Sequence, residues 1–288
     1  MATFKEFRNN VKPNWCPGCG DFSVQAAIQR AAANNGLEPE QLAVISGIGC
    51  SGRISGYINS YGLHGIHGRA LPIAQGVKMA NRDLKVIASG GDGDGFAIGL
   101  GHTIHAIRRN VDITYIVMDN QIYGLTKGQT SPRSAAGFIT KSTPEGAIEP
   151  ALAPMEMALT AGATFVAQSF STDLKELTSL IEAGLNHSGF SLINVFSPCV
   201  TYNKINTYEW FKENLTKLSD IEEYDPTNRE KAMSTLMKHE GLVTGLIYQN
   251  SEQPSYQELV KHYSEEPLSQ HDLNLSAETF DELVKEFM

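Results

Sequence analysis

Gly90-Gly91-Asp92-Gly93-Asp94-Gly95 joins a short apolar run, residues 85–88, to a helical pattern over residues 96–109. Glycines let a backbone come close to a phosphate, and a helix start offers free amides and a favourable dipole to an anion. The turn lacks the G-x-G-x-x-G spacing of dinucleotide sites, and it adds carboxylates where a nucleotide turn ordinarily has none. Carboxylates beside a diphosphate repel it unless a divalent cation stands between them, and magnesium takes an octahedron of oxygens. The stretch therefore implies a phosphate group with a metal at the end of a strand. Asp94, just ahead of residues 96–109, is expected to cap that helix.

Outward from this turn, apolar runs over 42–48, 85–88, 113–118, 164–167, 192–196 and 242–248 alternate with helical patterns. That alternation is the signature of strands joined by crossover helices, so the expected fold is α/β, a mostly parallel sheet flanked by helices. The clearest helix is 173–186, where Leu174, Leu177, Leu180, Ile181 and Leu185 share one face; Asp173 can cap it, with Glu176 three residues on. Other helices are expected over 22–34, 71–81, 208–218 and 228–239. Residues 1–250 read as one domain. Residues 251–288 read as a helical, polar tail suited to contacting a partner subunit.

Composition bounds the function. The chain has 288 residues, 41% hydrophobic and 19% charged, with a formal net charge of -9. A balance this acidic, with no long basic run, argues against nucleic acid as the main partner. Residues 1–10 carry Lys5 and Arg8 with no apolar stretch behind them, so no signal peptide or membrane anchor is expected, and a cytoplasmic location is. Thiols stay reduced there, which disfavours pairing the four cysteines, Cys16, Cys19, Cys50 and Cys199, as disulfides. A thioredoxin-type reading of Trp15-Cys16-Pro17-Gly18-Cys19 needs an apolar strand before it, and residues 8–14 cannot form one. Cys50 follows the run 42–49 and Cys199 ends the run 192–198. The carboxyl ends of parallel strands lie on one sheet edge, so four thiolates can converge there. Zinc and a four-iron cluster both accept four cysteines, and ligand type does not separate them.

Asn120 stands 28 positions beyond Asp92. Gly-Asp-Gly followed by Asn at that distance resembles the thiamine diphosphate motif, which implies magnesium ligands at Asp92, Asn120 and the carbonyl of Ile122. Asp94, 26 positions from Asn120, competes for the first role, but the family spacing favours Asp92. Further matching stretches are Trp15-Cys16-Pro17-Gly18-Cys19-Gly20, Gly47-Ile48-Gly49-Cys50-Ser51, His67-Gly68-Arg69-Ala70, the segment from Asp119 to Gln129, and Ser197-Pro198-Cys199. Together, over about residues 10–250, they resemble the beta subunit of 2-oxoacid:ferredoxin oxidoreductases, with the thiamine diphosphate-binding fold of the diphosphate-binding domain type.

That resemblance implies thiamine diphosphate and magnesium as cofactors, and one 4Fe-4S cluster on Cys16, Cys19, Cys50 and Cys199. It implies cofactor contacts at Gly47, Ile48, Gly49, Cys50, Ser51, His67, Gly91, Asp92, Gly93, Asp94, Asn120, Ile122, Gly124 and Leu125. The implied reaction is oxidative decarboxylation of a 2-oxoacid to acyl-CoA and carbon dioxide, with electrons passing through the cluster to ferredoxin. A separate alpha subunit would supply the glutamate that activates the cofactor, giving an alpha2beta2 heteromer. Ser51 lies in the loop that should face both cofactors, and Lys127 in the loop that should meet substrate. Arg53 suits the second carboxylate of 2-oxoglutarate through the two-pronged geometry of guanidinium; pyruvate and branched-chain 2-oxoacids are the alternative substrates. His102 and His105 read as packing or surface residues, since no third ligand accompanies them. The rival classes are a non-redox thiamine decarboxylase or synthase, which has no use for four thiolates, and a zinc-stabilised non-catalytic subunit, which has none for Asp92 with Asn120.

Overall fold

Every residue of Leu42–Ser46, Ile113–Asp119 and Phe190–Phe196 is buried, on both faces of the strand each forms. Continuous apolar runs of this kind belong to parallel strands covered by helices on either side. The computed structural model describes residues 2–260, 266–272 and 274–287. In chain order its elements are α1 (Asp21–Asn34), β1 (Leu42–Ser46), β2 (Tyr61–His64), α2 (Ala70–Ala80), β3 (Lys85–Gly91), α3 (Leu100–Arg109), β4 (Ile113–Asp119), α4 (Pro154–Thr160) and β5 (Phe165–Phe170). There follow α5 (Leu174–Asn186), β6 (Phe190–Phe196), α6 (Tyr208–Asn214), β7 (Thr216–Lys217), α7 (Arg229–Lys238), β8 (Val243–Gln249), α8 (Tyr256–Leu259) and α9 (Ala277–Lys285).

One sheet runs β2-β1-β3-β4-β6-β5-β8-β7, and every pairing is parallel except β5 with β8. Side chains alternate across it. Ala43, Ile45, Val86, Ala88, Tyr115 and Val117 meet α2, α3, α4 and α7 on one face. Leu42, Val44, Ile87, Ile116 and Met118 meet α1 and α5 on the other. Each buried Leu, Ile, Val or Phe in these layers contributes about 1.5–3 kcal/mol relative to exposure. The chain leaves β1 toward β2 at one edge and β3 toward β4 on the opposite side, so the carboxyl ends of β1 and β3 flank a topological switch point. Open α/β sheets bind their ligands there.

The expected elements appear, with four differences. The helix expected over 96–109 starts later: residues Asp94–Ile98 form a π-type turn, and α3 begins at Leu100. The Gly99 amide donates to the Asp94 carbonyl at 3.0 Å, a bond five residues long that widens the chain there in place of a regular helical turn. Asp94 therefore caps no helix, contrary to expectation; its carboxylate turns back to the loops after β1 and β2. Second, the helix expected over 208–218 ends at Asn214, because Leu215 becomes extended and Thr216 donates to the Leu242 carbonyl as β7 joins the sheet. Third, β2 was not marked by any apolar run, since all four of its residues are exposed at the sheet edge. Fourth, Asp173 caps α5 by accepting from the Glu176 amide at 3.1 Å, but the Glu176 carboxylate accepts from Ser169 instead of closing a capping box.

Of the tail expected over 251–288, residues 261–265, 273 and 288 lie outside the described residues. Its first part is docked on the sheet domain: Tyr256 donates its amide to the Asn110 carbonyl, and Asn110 Nδ2 donates to the Pro254 carbonyl at 3.0 Å. Helix α9 buries none of its residues. Among the described residues no helix is long and apolar enough to cross a membrane.

Candidate active site

The loops after β1, β3 and β4 enclose a cavity of about 110 Å³. Its wall includes Ile48 to Ser51, Gly91 to Asp94, Asn120, and Ile122 to Thr126, with His67 arriving from the loop after β2. Asp92, Asn120 and Ile122 thus face one space, although they stem from two strands. Gln121, at φ 59°, turns the chain between Asn120 and Ile122, and Asn120 Oδ1 accepts from the Ile122 amide at 3.1 Å. A Cβ at Gly93 would strike the Tyr123 ring at 2.1 Å, so glycine is what lets the turn after β3 lie against that ring. Tyr123 Oη donates to the Gly93 carbonyl at 3.2 Å.

The two aspartates of the turn differ in partners. Asp92 is 2% exposed and accepts from Ser131 Oγ at 2.5 Å. Burial first, then the charge of neighbouring Asp119, pushes its carboxyl above the usual carboxylate range. A buried carboxyl held that way gains from a cation, and Asp92, the Asn120 amide oxygen and a carbonyl are the hard oxygen donors magnesium takes. Asp94, 1% exposed, instead accepts at Oδ1 from the Ile48 amide at 2.9 Å and the Gly68 amide at 2.8 Å, and lies 2.7 Å from His67 Nδ1. It is a clamp on the loops that carry Ile48 and His67.

A second cavity, of about 190 Å³, is lined by Cys16, Cys19, Cys50 and Cys199 together with Asn14, Trp15, Arg53 and residues 199–202. Cys16 and Cys19 lie in the turn before α1, Cys50 in the loop after β1 and Cys199 in the loop after β6; all four are free thiols. Trp15 fixes the first turn to the second loop: its Nε1 donates to the Cys50 carbonyl at 2.7 Å, while its ring packs edge-on against Phe22 and Tyr57. Burial, followed by the buried Asp21 carboxylate, pushes the Cys19 thiol far up. The same two causes, joined by Cys199, push Cys50 up to about 11. Ionising these thiols needs positive charge among them, which a metal centre supplies. Among the described residues no three His, Cys, Asp or Glu side chains gather as a single-ion site. The four thiols line one space.

Cys50, Asn120, Gly124 and Leu125 belong to the walls of both cavities. A Cβ at Gly124 would stand 3.5 Å from Cys199 Sγ and 3.7 Å from Cys50 Sγ, so the shared wall lies directly against two of the thiols.

Comparison with known proteins identifies the family. Residues 47–195 match the family described as thiamine pyrophosphate enzyme, C-terminal TPP binding domain, and residues 199–265 match the family of the C-terminal part of the pyruvate ferredoxin oxidoreductase beta subunit. Subunit beta of 2-oxoacid:ferredoxin oxidoreductase 1 from Aeropyrum pernix is 43% identical over 262 residues, spanning 88% of this chain and 82% of that one. The chain belongs to the 2-oxoacid:ferredoxin oxidoreductase beta subunits. The 2-oxoglutarate synthase subunit KorB of Archaeoglobus fulgidus is 38% identical to this beta subunit, over 74% of this chain and 82% of its own. Among solved structures, 2-oxoglutarate:ferredoxin oxidoreductase from Magnetococcus marinus, with 2-oxoglutarate, coenzyme A and succinyl-CoA bound, superposes with a TM-score of 0.87 at 41% identity, covering 90% of this chain and 89% of that one.

Most site residues expected from sequence line the two cavities of this beta subunit. Gly47 lies just behind the first, where a Cβ would be 2.0 Å from Asp94 Oδ2. Ser51 is buried in its wall, and Arg53 is exposed in the wall of the second. Lys127, at φ 75° and exposed, lines neither. His102 and His105 both lie on α3, and no third ligand joins them among the described residues. Tyr123, Ser131, Arg133 and Asp21 were missed. Of these only Asp21, directly after the Cys-x-x-Cys turn, carried a sequence signal.

Proposed function

We propose that this beta subunit, paired with an alpha subunit as alpha2beta2, oxidatively decarboxylates a 2-oxoacid to acyl-CoA and carbon dioxide and passes two electrons to ferredoxin. The observation that carries this reading is the shared wall: a thiamine-type cavity and a four-thiol cavity separated only by Cys50, Asn120, Gly124 and Leu125. A non-redox thiamine enzyme has no need of the second cavity. When bound, thiamine diphosphate supplies an electron sink for loss of carbon dioxide, and a four-iron cluster supplies one-electron steps. Asp92, Asn120 and the Ile122 carbonyl would hold the magnesium ion. Asp94 fixes His67 in the cavity wall, where it would meet the cofactor, and Ser51 lines the same cavity. Cys16, Cys19, Cys50 and Cys199 would hold the cluster; ligand type does not separate it from zinc, and membership of a ferredoxin-reducing family supports the cluster. Four free thiols are suited to a reducing, cytoplasmic setting.

Among substrates, 2-oxoglutarate is the one proposed. Arg53 lines the four-thiol cavity and not the thiamine-type one, so it is proposed to reach the second carboxylate from beyond the shared wall; several relatives are named for that acid. Residues 1–250 are proposed as the cofactor-binding domain. The tail from 251 is proposed as the arm toward the partner, supported by the exposed Phe280, Leu283 and Val284 on α9. The test is reduction of ferredoxin or an acceptor dye by the reconstituted complex with coenzyme A. The expected result is reduction with 2-oxoglutarate well above that with pyruvate, and loss of that preference in Arg53→Ala. Equal rates with the two acids would remove the role of Arg53, and no 2-oxoacid-dependent reduction would overturn the reading.

A further inference from the structure

The three groups read as magnesium ligands hang from two separate strands, Asp92 after β3 and Asn120 with Ile122 after β4. β3 and β4 pair directly, Gly91 opposite Met118, and Tyr123 Oη reaches the Gly93 carbonyl, but neither contact holds the Asp92 carboxylate or the Gln121 carbonyl. One short turn touches both. Ser131 Oγ donates to Asp92 Oδ2 at 2.5 Å, and Ser134 Oγ donates to the carbonyl of Gln121, the residue between Asn120 and Ile122, at 2.7 Å. The turn is itself closed, since the Ser134 amide donates to the Ser131 carbonyl at 3.0 Å and the Ser131 amide donates to Ser134 Oγ at 2.9 Å. Arg133 adds a third attachment, its Nε donating at 2.9 Å to Asp119 Oδ2, on the last residue of β4. Ser131 and Ser134 are 8% and 3% exposed, so these bonds are made away from water.

We propose that Ser131-Pro132-Arg133-Ser134 is a clasp that presets the magnesium site, with Ser131 and Ser134 as positioning residues for the two ligand loops. A carboxylate fixed at one oxygen keeps the other in a single orientation, and outer partners of this kind typically change metal affinity about 10–100-fold when removed. The serine hydroxyl at 131 is held from both sides: it donates to Asp92 while accepting from the Arg133 amide at 3.3 Å. The inference rests on the reading of Asp92, Asn120 and Ile122 as the magnesium ligands.

The test uses the co-expressed complex stripped of cofactor. Thiamine diphosphate binding is followed calorimetrically while magnesium is varied, and the magnesium concentration at half-saturation is the readout. Ser131→Ala and Ser134→Ala should each raise that midpoint about 10–100-fold, and Ser131→Thr, which keeps the hydroxyl, should restore it. A merely structural role would lower the melting temperature of the stripped complex and leave the midpoint where it was. Wild-type midpoints in both alanine variants would overturn the clasp while leaving the ligand reading intact. Failure of the wild-type complex to bind thiamine diphosphate with magnesium would overturn both.

Discussion

Replacing Asp94 tests the clamp most sharply, because its carboxylate ties two loops that the sequence separates. Oδ1 accepts from two backbone amides, 46 and 26 residues away, and lies against His67 27 residues away. Hydrogen bonds to a charged acceptor contribute about 1.5–3 kcal/mol and neutral ones about 0.5–1.5. Asp94→Asn keeps the shape and loses the charge, so about 1 kcal/mol is lost per bond and about 3 kcal/mol from the clamp as a unit. Since 1.4 kcal/mol is a factor of ten, the Ile48 and Gly68 amides should exchange with solvent roughly 100-fold faster. Asp94→Ala leaves the buried Gly68 amide and the partly buried Ile48 amide without partners, at up to about 1–3 kcal/mol each, and should free the loops further. The assay is residue-resolved hydrogen exchange on the cofactor-free complex, with Asp92→Asn as the comparison. Asp92→Asn should leave those two amides protected while abolishing magnesium-dependent cofactor retention. Unchanged exchange at Ile48 and Gly68 in Asp94→Asn would refute the clamp.

Burial holds His187 below its ordinary 6.5, with Nε2 2.8 Å from Thr164 Oγ1. As pH falls beneath 6.5 the unfolded chain takes a proton that the folded chain refuses, so stability should decline there. His187→Gln should flatten that decline in unfolding experiments, and an identical slope in the variant would contradict the assignment. Asp173 is depressed below 3.8, by its hydrogen bond from Lys217 first and the Glu176 amide second. Its contribution is present above 3.8 and lost as pH falls through the lowered folded value. Asp173→Ala should cost about 1 kcal/mol at neutral pH, with the difference from wild type vanishing in strong acid; a difference that persists there would rule out a charged cap.

Much of this was legible because the sheet is buried on both faces. Runs such as 113–118 mark their own strands, and knowing that Cys50 and Cys199 follow such runs was enough to predict that their thiols share an edge. The exposed edge strand Tyr61–His64 offers no such mark, and the antiparallel setting of β8 leaves no trace in its composition. The role of Asp94 was misread for a definite reason. A carboxylate before a helix looks like a cap, whereas its actual partners are backbone amides on distant loops, and every residue type except proline has an amide hydrogen. Ser131 was invisible likewise, because its partner Asp92 lies 39 residues back, across α3 and β4, and the loop that carries Ser131 has no periodicity.

A cluster held by Cys16, Cys19, Cys50 and Cys199 would share a wall with the thiamine-type cavity. Metal and sulfide analysis of the anaerobically purified complex measures this directly. About four irons and four acid-labile sulfides per beta chain are expected, lost together in Cys199→Ser. A colourless complex with about one zinc per beta chain and no sulfide would contradict it.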